Sequence, residues 1–255
     1  MLVDAHCHVD LYPSYASIVH DARSANVRVL AVTTTPRSFT GNLERAKGAP
    51  LISVALGMHP QIVGTAHADM ALFEKLLPKA DFIGEVGLDA SPQYYKTLSQ
   101  QEAVLSEILR LSATANGRPM SVHGVRAFKR VLATIGEHDP RGVNRYALHW
   151  FSGTIAEART GVELKCYFSV NEAMIASQRG REIIAAVPLD AVLTETDGPF
   201  IKRHDAPIRP SMVLGVTEYL ARLWGVTVQH AAGQIRDNFD AFAASAHSVA
   251  GGTDR

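Results

Sequence analysis

The chain has too few cysteines for a disulfide framework: two in 255 residues, Cys7 and Cys166, neither in a C-x-x-C pair. They read as buried, reduced thiols of a cytosolic protein. No apolar run reaches the ~18 residues of a membrane span. No basic stretch leads into an apolar one at the start, because Asp4 and His6 arrive at once, so the chain reads as soluble and unexported. It has no excess of either charge: Lys plus Arg equals Asp plus Glu at 25 each. That removes the global attraction a basic protein has for nucleic acid, so any polyanion site must be local. It has no internal repeat, low-complexity tract or linker. One domain over 1–255 is the expectation.

What is present is apolar material, 47% of residues, in a recurring pattern. Short runs rich in β-branched residues at 2–7, 27–33, 51–56, 82–86, 119–123, 145–150, 165–170 and 190–195 alternate with helix-length segments. Eight strand–helix alternations argue for parallel strands covered by helices. The length suits a closed α/β (β/α)8 TIM-like barrel, and an open doubly wound sheet is the alternative on pattern alone. A helix is expected behind a capping box at Ser99 and Glu102, ended by Asn116-Gly117 before Pro119. Two more helices are expected from near Ser211 to Gly225 and from near Thr227 through "NFDAF", with a frayed "GGTDR" tail.

"VDAHCHVD" puts His6 and His8 at the end of the first run, where residues i and i+2 share a face about 7 Å apart along the chain. Later runs end in the same currency: Glu85 in "FIGEVGLD", His123 in "MSVHG", His149 in "YALHWFSG" and Asp197 in "VLTETDGPF". In a parallel barrel all strand C-termini meet on one face, so these residues would converge. Any single histidine there is more often structural. Four imidazoles and two carboxylates together can hold two divalent ions about 3.5–4 Å apart, with a bridging carboxylate and water. Asp197 could both ligate and accept the proton of the attacking water. By strand parity Asp4 joins the face of His6, and Glu195 that of Asp197. Each is a candidate acceptor for the outer N–H of a metal-bound imidazole, the alternative being a salt bridge low in the barrel.

Around the mouth, His59 in "GMHP" is expected either to contact phosphate or to form a turn with Pro60. Lys202, Arg203, His204 and Arg209 crowd the segment after the eighth run and could position phosphates; a solvated loop is the alternative. Trp150 or Phe151 could stack an unpaired base, although packing is the commoner use of such rings. Tyr94 and Tyr95 invite the same question.

In this order, "DAHCHVD", "ALGMHP", "IGEVGLD", "SVHGVRAF", "LHWFSG", "VLTETDGPF" and "NFDAF" resemble the TatD family of metal-dependent hydrolases in the amidohydrolase superfamily. The resemblance implies a TIM-like barrel and a divalent-metal nuclease, often an exonucleolytic DNase. It implies one metal on His6, His8, Glu85 and Asp197, and a second on Glu85, His123 and His149, with Glu85 bridging. Departures lie at the mouth. The family's H-S-R is "HGVR" here, leaving Arg126 as the candidate arginine; H-C-F-S-G is "HWFSG"; and the segment after the eighth strand reads "IKRHDAPIRPS". The chain also resembles the TatD-like nuclease of a bacterial anti-phage defence system. Three functions are therefore carried forward. The first is a nuclease acting on DNA, with single-stranded ends fitting a deep mouth best. The second is a hydrolase of a small amide, lactone or phosphoester. The third is a barrel subunit of a larger defence assembly whose protein partners control access. Zn, Mn, Fe, Co and Mg all suit some form of such a site, Mg least with so many imidazoles.

Overall fold

A computed structural model describes residues 1–244; the expected frayed tail at 251–255 lies outside them. Eight strands form one sheet whose spatial order is the chain order: β1 Leu2–Cys7, β2 Val27–Ala31, β3 Ile52–Leu56, β4 Phe82–Asp89, β5 Pro119–Val125, β6 Arg145–His149, β7 Tyr167–Val170 and β8 Val192–Thr194. Every neighbouring pair is parallel. The connections carry α1 Tyr15–Ser24, α2 Pro36–Ala46, α3 Met70–Leu76, α4 Leu98–Thr114, α5 Phe128–His138, α6 Ile155–Glu163, and α7 Glu172–Ala176 with α8 Gln178–Ala186. A short hairpin, β9 Lys202–Arg203 with β10 Ala206–Pro207, precedes α9 Val213–Trp224 and α10 Val228–Ala243. This is the TIM-like barrel expected from the alternation of apolar runs.

Between β8 and β1 the barrel is drawn together by individual bonds. Thr194 Oγ1 donates to the Val3 carbonyl at 2.5 Å, the Asp197 N–H to the His6 carbonyl at 2.9 Å, and the His8 N–H to the Gly198 carbonyl at 2.8 Å. The last two tie the chain's first and last polar site residues to one another through backbone. From below, Asn238 of "NFDAF" donates to the Leu189 and Val192 carbonyls, both at 2.8 Å, fixing α10 to the entrance of β8. Phe239 and Phe242 pack against Phe82, with Arg28 over the Phe239 ring.

Two local expectations need correction. The helix after β4 does not start at a Ser99 capping box: α4 begins at Leu98 with Thr97 as its first flanking residue, and no side chain caps it. A single 3-10 turn at Tyr95–Thr97 runs directly into the helix, so the Leu98 N–H is already satisfied by the Tyr95 carbonyl. Ser99 is thereby drawn inside. The helix ends where expected, with Asn116 and Gly117 at φ 68° and 75°. The fourth strand runs to Asp89 rather than stopping near Glu85. Its register with β5 slips between Ile83 and Val86, so Glu85 sits at an irregularity within the strand. Such a bulge re-aims a side chain.

Candidate metal centre at the C-terminal mouth of the barrel

His6, His8, Glu85, His123, His149 and Asp197 meet at one end of the barrel, all buried. Glu85 is the hub. Its backbone is held from both sides, N–H to the Thr33 carbonyl at 2.9 Å and carbonyl from the Met58 N–H at 3.0 Å. Its Oε2 lies 3.5 Å from His6 Nε2 and 3.2 Å from His8 Nε2. Its Oε1 lies 2.6 Å from His123 Nδ1, 3.2 Å from His59 Nε2 and 3.9 Å from His149 Nε2. Asp197 Oδ1 lies 3.7, 3.6 and 4.0 Å from the Nε2 atoms of His6, His8 and His149.

The donor set can be tested against a metal. His6 Nε2 and His8 Nε2 face each other at 3.2 Å. They lie 3.5 and 3.2 Å from Glu85 Oε2, and 3.7 and 3.6 Å from Asp197 Oδ1. A tetrahedral ion with ligands at about 2.0–2.2 Å has ligand–ligand edges of about 3.4 Å. The two imidazole nitrogens and Glu85 Oε2 are therefore spaced for one divalent ion, with Asp197 Oδ1 beside both nitrogens. Glu85 with His59 and His123 makes a second candidate cluster, its donor atoms all within 4.8 Å of one another.

In His6 and His149 the outer nitrogen is fixed by a neighbour, which settles which nitrogen faces inward. His6 Nδ1 bonds Ser121 Oγ at 2.7 Å, and His149 Nδ1 bonds Glu195 Oε2 at 2.9 Å. Glu195 is held by the Trp150 N–H at 3.1 Å and by Asn171 Nδ2 at 2.8 Å. Glu195 thus meets the ring expected of it, but Asp4 does not. Asp4 accepts from the Thr196 N–H at 2.9 Å and the Thr196 hydroxyl at 2.5 Å, so it braces the segment that carries Asp197. Ser121 takes the imidazole contact because β5 packs across the interior from β1. Ser121 shares a face with His123 by strand parity, the one signal that could have found it.

Charge follows geometry. Burial alone would neutralise Glu85, but the imidazoles of His59, His6 and His123 outweigh it and hold the carboxyl well below its ordinary range. Burial opposes a charged His149, yet Glu195 and then Asp197 outweigh it and push the ring up to about 10. His6, stacked on His149 at 3.6 Å between ring centres, is held well below its ordinary value by burial and then by that neighbour. Burial raises Asp197 to about 7 against the pull of His149 and His8. Burial raises Asp4 to about 8 despite its bonds from Thr196.

The mouth differs more from expectation. His59 forms the turn at Pro60, its Nδ1 accepting the Gln61 N–H at 3.2 Å, which leaves Nε2 turned to Glu85. The cavity above the cluster, about 400 Å³, is lined by His8, His59, Gln61, His123, Trp150 and Phe200 among others. None of its lining residues is Lys or Arg. Arg126, Lys202, Arg203 and His204 are exposed and lie outside that lining. Arg203 pairs with Glu172 across from the hairpin, and Arg209 is turned to Asp21 and Ser17. Phe151 is excluded as a stacking platform, because it is fully buried between Phe128 and Phe168. Gln61 and Phe200 were not anticipated. Nor was Asp89, which accepts from Gln61 Nε2 at 2.8 Å and faces His123 Nε2 at 3.6 Å.

A parallel eight-stranded barrel whose interior mouth gathers imidazoles and carboxylates around one bifacial glutamate defines a metal-dependent barrel hydrolase. The family model described as TatD related DNase matches residues 3–243, and the chain belongs to that family. Human deoxyribonuclease TATDN3 is 29% identical over 250 residues, covering 89% of this chain and 89% of that protein. The uncharacterized metal-dependent hydrolase YjjV of Escherichia coli K12 is 29% identical over 241 residues, covering 87% and 89%. The crystal structure of YjjV matches this fold with a TM-score of 0.85 at 23% identity, over 94% of this chain and 97% of that one. The E. coli phosphotriesterase homology protein, solved with phosphate in its active site, matches at 0.64 and 16% identity over 95% and 98%. No helix among the described residues is long and apolar enough to cross a membrane.

The Glu195 contacts carry an expectation of their own. Glu195→Gln keeps the size but weakens the charge-assisted bond to His149, and is expected to lower turnover or metal affinity about 10- to 100-fold. Metal content and kcat measured together would show it; wild-type values for both would leave Glu195 a packing residue.

Proposed function

We propose that the chain hydrolyses phosphodiester bonds of DNA with two divalent ions, acting at strand ends. His6, His8, Glu85 and Asp197 hold one ion; Glu85, His123 and His149 hold the other, and His59 stands beside it. The supporting observation is the two-sided use of Glu85: Oε2 faces His6 and His8 while Oε1 faces His123, His59 and His149. Ions held there supply acidification of a water and neutralisation of charge growing on the phosphate. The chain's own residues do the rest. Asp197 Oδ1, at the cavity floor beside the His8 and His6 nitrogens, is placed to take the water's proton. Asp4 keeps that carboxylate in position through Thr196, and Glu195 keeps the His149 ring facing inward. A cavity of about 400 Å³ admits one nucleotide more readily than a duplex.

The test is cleavage of end-labelled single-stranded DNA, duplex DNA and RNA with Mn²⁺ or Mg²⁺, before and after chelation. The expected result is loss of at least about 100-fold of activity on chelation, restored by adding metal back, with single-stranded DNA cut fastest. Activity that survives exhaustive chelation would discard the metal-dependent reading. The cation-free lining also favours a second substrate class, a small phosphoester, which the same assay separates by failing on every oligonucleotide.

A further inference from the structure

Apolar exposure on this molecule is unevenly placed. Leu11, Tyr95, Val125, Ile155 and Phe200, five of the nine exposed large apolar side chains among the described residues, follow or end strands β1, β4, β5, β6 and β8. They therefore border the catalytic face. Phe200 is 59% exposed and lines the cavity. Its ring stands edge-on to His8 at 5.0 Å, and its N–H bonds the Asp197 carbonyl at 2.9 Å. Trp150, half-buried, also lines the cavity, with its backbone held at φ 41° and its N–H on Glu195 Oε1. Both rings are thus anchored by main-chain bonds to residues that position the metal centre, which fixes them relative to it.

We propose that Phe200 and Trp150 form a stacking mouth that takes one unpaired nucleobase, of any identity, from the nucleotide whose phosphate is attacked. The proposal rests on the nuclease reading and names how that site holds its substrate. Three observations select a base. The lining holds no Lys or Arg to grip a run of phosphates, so the sugar–phosphate chain is not what the rim recognises. The cavity has room for about one nucleotide. Its outer part offers aromatic faces and Val125, while Gln61 and Ser152 are the only neutral amide or hydroxyl side chains in the lining. Stacking without a matching set of base-edge donors and acceptors is tolerant of sequence.

The experiment uses the full chain with Mn²⁺ and an oligonucleotide that carries 2-aminopurine at its terminal position, next to a non-hydrolysable linkage. Stacking is expected to quench the probe on binding, and Phe200→Ala is expected to remove the quench and weaken binding about 10-fold. Phe200 is exposed, so its truncation leaves the core intact; Phe200→Tyr is expected to restore both readouts. A terminal abasic nucleotide should weaken wild-type binding by the same factor, and combining it with Phe200→Ala should add little, because both remove one interaction. Unquenched binding, or losses that simply multiply, overturns the stacking mouth. Quenching by a protein that cuts no ordinary oligonucleotide keeps the mouth and rejects the nuclease reading; cutting without quenching does the reverse.

Discussion

Glu85→Ala is expected to abolish ester hydrolysis, by roughly 1,000-fold or more, in a protein that still folds. Its two oxygens face opposite donor groups: Oε2 is within 3.5 Å of two imidazoles and Oε1 within 3.2 Å of two others. Truncation removes the common member of two of the three donor clusters found at metal-binding distances among the described residues. It also removes the buried charge that His59, His6 and His123 stabilise. Burial already holds His6 and His59 below their ordinary values, so they are not stranded as buried cations, which is why the fold is expected to survive. Glu85→Gln, the same shape without the charge, is expected to behave alike. Metal content by elemental analysis, thermal unfolding and activity on one preparation give the test. Undiminished hydrolysis by either variant would discard Glu85 as the bridge.

The second large effect is on stability. Gly57→Ala is expected to cost more than about 3 kcal/mol, because the added carbon meets backbone that cannot move independently. It would press into the Thr33 carbonyl oxygen, with the Glu85 N–H only 3.0 Å away. Thr33 is already committed: its hydroxyl bonds the Ala55 carbonyl and accepts the Gly57 N–H, both at 2.9 Å, and its carbonyl accepts the Glu85 N–H. The glycine at this step of "ALGMHP" is therefore the place where β2, β3 and β4 close on one another beneath the metal centre. At this chain length the loss corresponds to a fall in Tm of about 6–12 °C. A change of under about 2 °C would mean that the junction yields, and that the close approach of these strands is not what requires glycine.

The residues with chemistry were legible in the sequence to different depths. His6, His8, Glu85, His123, His149 and Asp197 could be read because each lies beside an apolar run, and parallel topology brings the ends of such runs together whatever the details of packing. For Asp4 the sequence left two roles open, for a related reason. Parity places it on the inner face, but whether an inward carboxylate meets an imidazole or a neighbouring backbone depends on what lies opposite, and the segment after β8 presents Thr196. The capping motif at Ser99 failed because a preceding 3-10 turn satisfied the same orphan donors first. The basic stretch after the eighth strand looked like a phosphate grip, yet the hairpin β9–β10 directs Arg203 to Glu172 and leaves its neighbours in solvent.

By itself, the sequence determined eight apolar runs alternating with helix-length segments, and the six polar residues beside those runs. Local hydrophobic periodicity and chain length leave few ways to bury eight such runs, and family motifs in order name what sits at their ends. Tertiary structure alone decided how those donors pair. The slip in register that aims Glu85, the choice of Ser121 over Asp4 for His6, and the exposure of Phe200 at the mouth all depend on distances between strands far apart in the chain. No local pattern carries such distances, because they are set by side-chain packing across the barrel interior.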